Sequence, residues 1–209
     1  MAAHEARRQR VELLVTVLLA VAAVATAWST YQSARWRGEQ AAESSKATAA
    51  HIASSEASTR AGQLTQIDIA TFIQWVDADV ARDGRLARFY RRRFRKEFRP
   101  AFAAWVATSP RTNPTAPLSP FAMRQYRVAE AVQAERLNTA AGVRADAAAE
   151  ANERSGNYVL AVVLFAVALF FAGMATKLRS LRRQEVLMAL GWVVFLGTAA
   201  WVATFPVTI

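Results

Sequence analysis

The stretch YVLAVVLFAVALFFAGMAT, residues Tyr158–Thr176, carries no charged side chain from end to end. Two further apolar stretches lie nearer the chain ends, VELLVTVLLAVAAVATAW at Val11–Trp28 and VLMALGWVVFLGTAAWVATF at Val186–Phe205. A helix rises about 1.5 Å per residue, so roughly 20 apolar residues cross the ~30 Å hydrocarbon core of a bilayer. We therefore predict an all-α integral membrane protein with three transmembrane helices, at residues 11–31, 157–176 and 186–206.

The distribution of basic residues predicts the orientation of these spans. The formal charge is +10, and two short basic segments, residues 1–10 and 177–185, face the same side of a three-span chain. Because short cytoplasmic segments are rich in Lys and Arg, we predict that both segments are cytoplasmic and that residues 32–156 lie outside. The abundant Ala and Arg suggest a GC-rich bacterium, and we expect the chain in the bacterial inner (cytoplasmic) membrane. The basic residues are Arg7, Arg8 and Arg10 in the first segment and Lys177, Arg179, Arg182 and Arg183 in the second.

Two alternatives concern the first span. Three basic residues between 35 and 46 follow it closely, which weakens the charge contrast and leaves the inverted orientation open. The basic start, the apolar run and the tripeptide Ala25–Ala27 also fit a cleaved signal peptide. Against cleavage, Trp28 and Tyr31 stand where interfacial aromatic residues anchor a retained helix.

The region between the first two spans, residues 32–156, is predicted to be a helical stalk and head. Residues 33–62 and 138–156 are rich in alanine and adjoin the membrane, so we expect them to pair as a thin coiled-coil stalk. Helices over about 32–82, 86–107 and 120–156 then form a three-helix head, with proline-rich residues 108–120 as the main interruption. Ser119 and Pro120 are predicted to be the N-cap and first residue of the third helix.

Apolar spacing predicts the buried faces of the head. Residues of the first helix recur at helical spacing, and the second and third helices carry an aromatic and a weaker apolar face. The predicted sets are Ile69, Phe72, Ile73, Val76 and Val80 on the first helix; Leu86, Phe89, Tyr90, Phe94, Phe98, Phe102 and Trp105 on the second; and Phe121, Val128, Val132 and Leu137 on the third.

The segment RLARFYRRRFRKEFR, residues Arg85–Arg99, is the candidate binding site. At about 100° per residue, five basic side chains share one helix face, largely opposite the aromatic residues. This predicted basic face indicates an anionic partner: an anionic lipid, an acidic protein or an acidic polymer. A nucleic acid is disfavoured by the extracytoplasmic placement, and a solvated helix face is the alternative. The five residues are Arg88, Arg92, Arg95, Lys96 and Arg99.

Catalytic and metal-binding patterns are missing from the sequence. The segment DADVARDG, Asp77–Gly84, lacks the ligand spacing of a calcium loop, and we interpret it as a polar helix end that turns at Gly84. There is no cysteine, and the two histidines, His4 and His51, are isolated. No ionisable residue lies near the centre of a span, which disfavours ion-coupled transport. We expect no enzymatic activity, catalytic residue, metal or cofactor.

The run AWSTYQSAR, Ala27–Arg35, directly follows the first span and resembles a family of uncharacterised bacterial membrane proteins. The layout is similar as well, with one N-terminal span, a helical middle and two closing spans joined by the short basic turn Lys177–Arg183. The resemblance implies this architecture and no activity.

From the sequence we expect a non-catalytic, membrane-anchored scaffold or interaction module whose helical head presents the basic face. The alternative is a homo-oligomeric channel or pore, because three spans without a charge near their centres line a pore only when several copies assemble. A homo-oligomer is compatible with either function.

Overall fold

A computed structural model describes residues 2–178 and 180–207, with side chains described from residue 9 onward except at residue 181. All of the regular structure among these residues is helical, which confirms the predicted all-α class. The helices are α1 (Ala2–Val80), α2 (Gly84–Arg93), α3 (Arg99–Ala107), α4 (Ala129–Lys177) and α5 (Leu181–Val202), with a short 3-10 helix at Pro120–Ala122.

Three of the described helices, α1, α4 and α5, are long and apolar enough to cross a membrane, as the sequence predicted. The third apolar helix ends at Val202, before the predicted limit at residue 206. Pro206 accounts for this end, because a proline disfavours helical geometry in the residue before it. Thr204 and Phe205 form a turn instead, and Phe205 packs on Tyr158 of α4.

The chain forms two compact units, and the first comprises Met1–Ser45 with Arg144–Ile209. Its core is apolar and lies where the three apolar segments meet. Alanine residues of α4 are fully buried there and let the helices approach closely. Gly191 of α5 serves the same purpose, since a Cβ on it would lie 3.1 Å from Leu18 Cδ2 and 3.4 Å from the Ala168 carbonyl oxygen.

Polar contacts join α1 to α4 within the first unit. The Ser33 hydroxyl lies 3.0 Å from the Ser155 hydroxyl, which donates to the Ser33 carbonyl oxygen at 3.1 Å. Arg144 donates to the buried carboxylate of Glu43 at 3.1 Å. Residues 33–45 of α1 therefore lie beside residues 144–156 of α4 within this unit, and the stalk and head stay a prediction.

The second unit, Lys46–Val143, is built around an aromatic core. In it, too, α1 lies beside α4, since Ser54 Oγ donates to the Ala134 carbonyl oxygen at 2.8 Å. We use "aromatic core" for the four buried residues and the five partly buried ones that pack on them. They are Phe94, Phe98, Phe102 and Trp105, with Phe72, Trp75, Phe121, Met123 and Tyr126.

The predicted buried face of α1 is largely wrong. Ile69, Ile73 and Val80 are exposed, and α1 meets the aromatic core through Phe72 and Trp75. The buried face is rotated to Asp68, Phe72, Trp75 and Ala78 because large aromatic side chains bury more area than β-branched ones. Leu86, Phe89 and Val132, which were also predicted to be core, are exposed.

The predicted helix over 86–107 is two helices, separated at Phe94–Phe98. Pro100 explains the interruption, because its ring would clash with the carbonyl of residue 96 and it has no N–H to donate. Likewise, Pro120 begins only a three-residue 3-10 helix, and Ser119 makes no side-chain cap bond. The third helix therefore begins at Ala129, after a turn that directs Tyr126 toward α1.

Candidate anion-binding surface

Helix α2 begins at a side-chain cap and ends where the chain enters the aromatic core. Arg82 adopts a left-handed conformation (φ 58°), and Asp83 Oδ1 then accepts from the backbone N–H groups of Arg85 at 3.0 Å and Leu86 at 2.9 Å. The chain thus turns at Arg82 rather than at Gly84 as predicted, and Gly84 is the first residue of α2. At the other end, Phe94 is extended and inserts into the aromatic core.

Four arginines line one concave surface at the end of α2. Arg88, Arg91 and Arg92 project from α2, Arg99 projects from the start of α3, and the space between them is about 550 Å³. We call these four residues the arginine surface. Arg99 is fixed in place, since its Nε donates to the Phe94 carbonyl oxygen at 2.9 Å and its Nη2 donates to the Arg92 carbonyl oxygen at 3.1 Å.

Three of the five predicted site residues, Arg88, Arg92 and Arg99, therefore lie together, and Arg91 joins them. Arg91 was not among the predicted residues, because the spacing of one continuous helix through residue 99 places it at the edge of the basic face. The interruption after Arg93 brings Arg99 back toward α2 through its two carbonyl contacts. A proline at position 100 was the available signal for this change of direction.

Arg95 does not belong to the arginine surface. Its Nη1 donates to Asp68 Oδ2 at 3.0 Å, and its Nη2 lies 3.4 Å from Glu97. The Asp68 side chain is 0% exposed and the Arg95 side chain 19% exposed, so this is an interior ion pair. The prediction that Arg95 contributes to an exposed basic face is wrong, because a buried carboxylate far away in the sequence binds its guanidinium.

A polar network surrounds Asp68 inside the second unit. The Tyr126 hydroxyl lies 3.2 Å from both Asp68 Oδ2 and Thr65 Oγ1. Burial raises the pKa of Asp68 above its usual value, although the nearby charge of Arg95 and the hydroxyl of Tyr126 oppose this rise. Burial likewise raises the pKa of Tyr126. The network fastens the segment between α2 and α3 to α1, and so holds α2 in position.

Lys96 also lies apart from the four arginines. Its side chain is 88% exposed, and its ammonium group is 3.9 Å from Glu97, a weak exposed contact. It is not among the residues that line the arginine surface.

Helix α2 lies at the surface and is amphipathic, with Ala87 and Tyr90 partly exposed. None of its residues is buried, and it contains no acidic residue. Leu86 and Phe89 present apolar surface to solvent, and the Arg93 guanidinium carbon lies 3.5 Å from the centre of the Phe89 ring. The helix thus combines several cations with exposed apolar side chains, the composition of an interfacial helix.

Two of the three acidic residues around the end of α1, Asp79 and Asp83, have structural contacts. Asp79 forms an ion pair with Arg111, and Asp83 caps α2. These contacts agree with the interpretation of Asp77–Gly84 as a polar helix end.

Comparisons with protein-family models, curated proteins and solved structures give no match. The resemblance of Ala27–Arg35 to a bacterial membrane-protein family therefore stays a prediction. In the structure, Ser29, Gln32 and Ser33 of this run are buried on the face of α1 that packs in the first unit.

Proposed function

We propose that this protein is a non-catalytic, membrane-anchored interaction module whose arginine surface binds the phosphate groups of an anionic bilayer surface. The observation that carries the proposal is the cluster of Arg88, Arg91 and Arg92 on a surface helix that has no acidic residue of its own, joined by Arg99 from the start of α3. The proposal extends to a bacterial inner membrane, with the second unit on its outer side.

Electrostatics supports an anionic ligand. Four guanidinium groups around one space repel each other, and a bound anion relieves that repulsion. Guanidinium groups suit phosphate in particular, because they offer paired N–H donors in a planar fork. The contacts of Arg99 with two backbone carbonyls restrict its side chain before any ligand arrives, which lowers the entropic cost of binding.

The apolar residues of α2 favour a bilayer over a soluble acidic protein. Leu86 and Phe89 are exposed, and in an interfacial helix such side chains enter the boundary between headgroups and acyl chains. An acidic protein needs no apolar insertion of this kind. Binding to such a protein is therefore the competing outcome of the test rather than part of the proposal.

The test uses the full chain in nanodiscs of neutral lipid and measures its binding to vesicles. Vesicles of phosphatidylcholine with phosphatidylglycerol are compared with vesicles of phosphatidylcholine alone. Each arginine near an anionic surface contributes about 1 kcal/mol, so the triple replacement of Arg88, Arg91 and Arg92 by Gln should weaken binding roughly 100-fold. Arg99 is left in place because it also supports the fold.

The control removes the same charge elsewhere in the second unit. Arg124, Arg127 and Arg136 are exposed and lie outside the arginine surface, and their triple replacement by Gln should weaken binding far less. An equal loss in the two triple variants would mean that net charge alone attracts the vesicles. Binding to soluble polyglutamate but not to anionic vesicles would replace the bilayer by an acidic protein or polymer.

The alternative function, a homo-oligomeric channel, makes a different prediction. The apolar segments of the first unit pack through an apolar core, so a pore would have to form between copies. Selective conductance of the reconstituted protein in single-channel recordings would favour the channel over the interaction module.

A further inference from the structure

The arginine surface is elongated, and its two ends lie at different heights along α2. At one end, Arg88 Nη1 lies 3.4 Å from the position that a Cβ on Gly84 would occupy. At the other end, Arg99 Nη2 donates to the Arg92 carbonyl oxygen at 3.1 Å. Gly84 and Arg92 belong to the same helix, and a rise of 1.5 Å per residue separates them by about 12 Å along its axis.

A single phosphate group is too small to contact both ends. Donor–acceptor distances of about 3 Å at each end leave roughly 6 Å to be spanned by the anion itself. Two phosphate groups joined by a short linker span such a distance. Arg91 and Arg92 lie between the two ends, because helical side chains lean toward the N-terminus, and they line the same space of about 550 Å³.

The charge of the surface also exceeds what one lipid phosphate neutralises. Its four guanidinium groups carry four positive charges, whereas a lipid phosphodiester carries a single negative charge. The acidic residues that flank α2 in the sequence have other contacts, since Asp83 caps the helix and Glu97 lies beside Arg95 and Lys96. A headgroup with two phosphates therefore matches this surface better than a headgroup with one.

We infer that the arginine surface prefers a lipid headgroup that carries two phosphate groups, one bound toward Arg88 and the other toward Arg99. This inference rests on the proposed function and names the lipid class that the site selects. Arg99 uses two of its five N–H groups on backbone carbonyls, so three remain for a phosphate. Two linked phosphates arrive as one molecule, and the second then binds at a high effective concentration. Two separate lipids lack this advantage.

Cardiolipin, in which a glycerol links two phosphates, is the probe for this preference. The full chain in nanodiscs of phosphatidylcholine is mixed with vesicles of phosphatidylcholine that contain either cardiolipin or twice the molar amount of phosphatidylglycerol. The phosphate charge of the two kinds of vesicle is then the same. Binding to the cardiolipin vesicles should be tighter by roughly fivefold or more, the contribution of one further arginine near an anionic surface.

Two single replacements test where the second phosphate binds. Arg88→Gln removes one end of the surface, so it should abolish the preference for cardiolipin while anionic vesicles still bind more tightly than neutral ones. Arg127→Gln removes the same charge from an exposed position outside the surface and should keep the preference. A preference that survives Arg88→Gln, or that Arg127→Gln abolishes equally, would overturn the inference, because it would then arise from the bilayer or from net charge.

The same measurements separate this inference from the proposed function. Equal binding to cardiolipin and phosphatidylglycerol, both tighter than to phosphatidylcholine, would overturn the two-phosphate headgroup and leave the anionic bilayer as the partner. Equal binding to all three would overturn both. Soluble 1,3-propanediol bisphosphate should compete only weakly, because it has no acyl chains to contact the exposed Leu86 and Phe89. Tighter binding of this compound than of cardiolipin would replace the lipid by a soluble bisphosphate.

Discussion

Replacement of Phe98 by Ala should open the second unit. Phe98 is fully buried, and its ring lies 5.0 Å from Phe94, 5.1 Å from Phe121 and 5.9 Å from Tyr126, measured between ring centres. Truncation of a buried Phe to Ala costs about 3–5 kcal/mol through lost transfer energy and the cavity that remains. Since 1.36 kcal/mol is a factor of ten, the open population should rise by roughly 10² to 10⁴.

Limited proteolysis of the full chain in detergent measures this population, because cleavage follows the open fraction when the unit recloses quickly. The control is Phe89→Ala. Phe89 is exposed, and its ring contacts are with Tyr90 and Arg93, so the loss should stay below about 1 kcal/mol. Equal protease resistance of the two variants would refute the aromatic core as the source of stability, and would make these rings candidates for the binding surface instead.

Three further predictions concern pH, packing and topology. Burial raises the folded-state pKa of Asp68, so the free energy of unfolding should increase as pH falls from neutral through that pKa. In denaturation experiments at several pH values, the Asp68→Asn variant should lack this part of the pH dependence. Gly191→Val should lower the melting temperature in detergent, at a cost of about 1–3 kcal/mol, whereas Gly197→Val should not, since no atom lies within 4 Å of a Cβ there. A single cysteine at Ile52 should react with a membrane-impermeant reagent in intact cells, and a single cysteine at Ser180 should not. Labelling of Ser180→Cys alone would mean that the orientation is inverted.

The structure also corrects the choice of positions for such experiments. A cysteine at Ser54 would be a natural label site from sequence alone, but Ser54 is buried against α4, while Ile52 is exposed. Replacement of all five predicted basic-face residues would likewise change the stability of the fold as well as any anion binding. Arg95 neutralises the buried Asp68, and Arg99 binds two backbone carbonyls.

The sequence was sufficient for the helices whose signal is local. Length and composition predicted the three apolar segments, and the scarcity of breakers predicted that α1 and α4 continue well beyond them. Gly173, Gly191 and Gly197 all lie in the apolar segments, so the sequence alone does not single out one of them. Among the described residues, a Cβ would meet a neighbouring helix at Gly191 and not at the other two, because the contact depends on which face α5 presents.

The buried face of α1 could not be predicted from periodicity. Two apolar sets lie side by side on this helix, the stripe from Ile69 to Val80 and the pair Phe72 and Trp75. Helical spacing fits both sets. Phe72 and Trp75 are the set that packs inward because the rest of the aromatic core, which comes from residues 94–126, lies on their side of α1. The ion pair of Asp68 with Arg95 depends on the same long-range packing, so the sequence could not separate Arg95 from its exposed neighbours.

Whether α2 engages an anionic bilayer is decided most directly by the affinity of the wild-type chain for vesicles as salt is varied. In neutral nanodiscs at low salt, the chain should bind vesicles that contain phosphatidylglycerol and not vesicles of phosphatidylcholine alone. Binding should weaken steeply toward physiological ionic strength, where exposed charges are screened over about 8 Å. Equal affinity for the two kinds of vesicle at low salt would contradict a role for Arg88, Arg91 and Arg92 in binding phosphate headgroups.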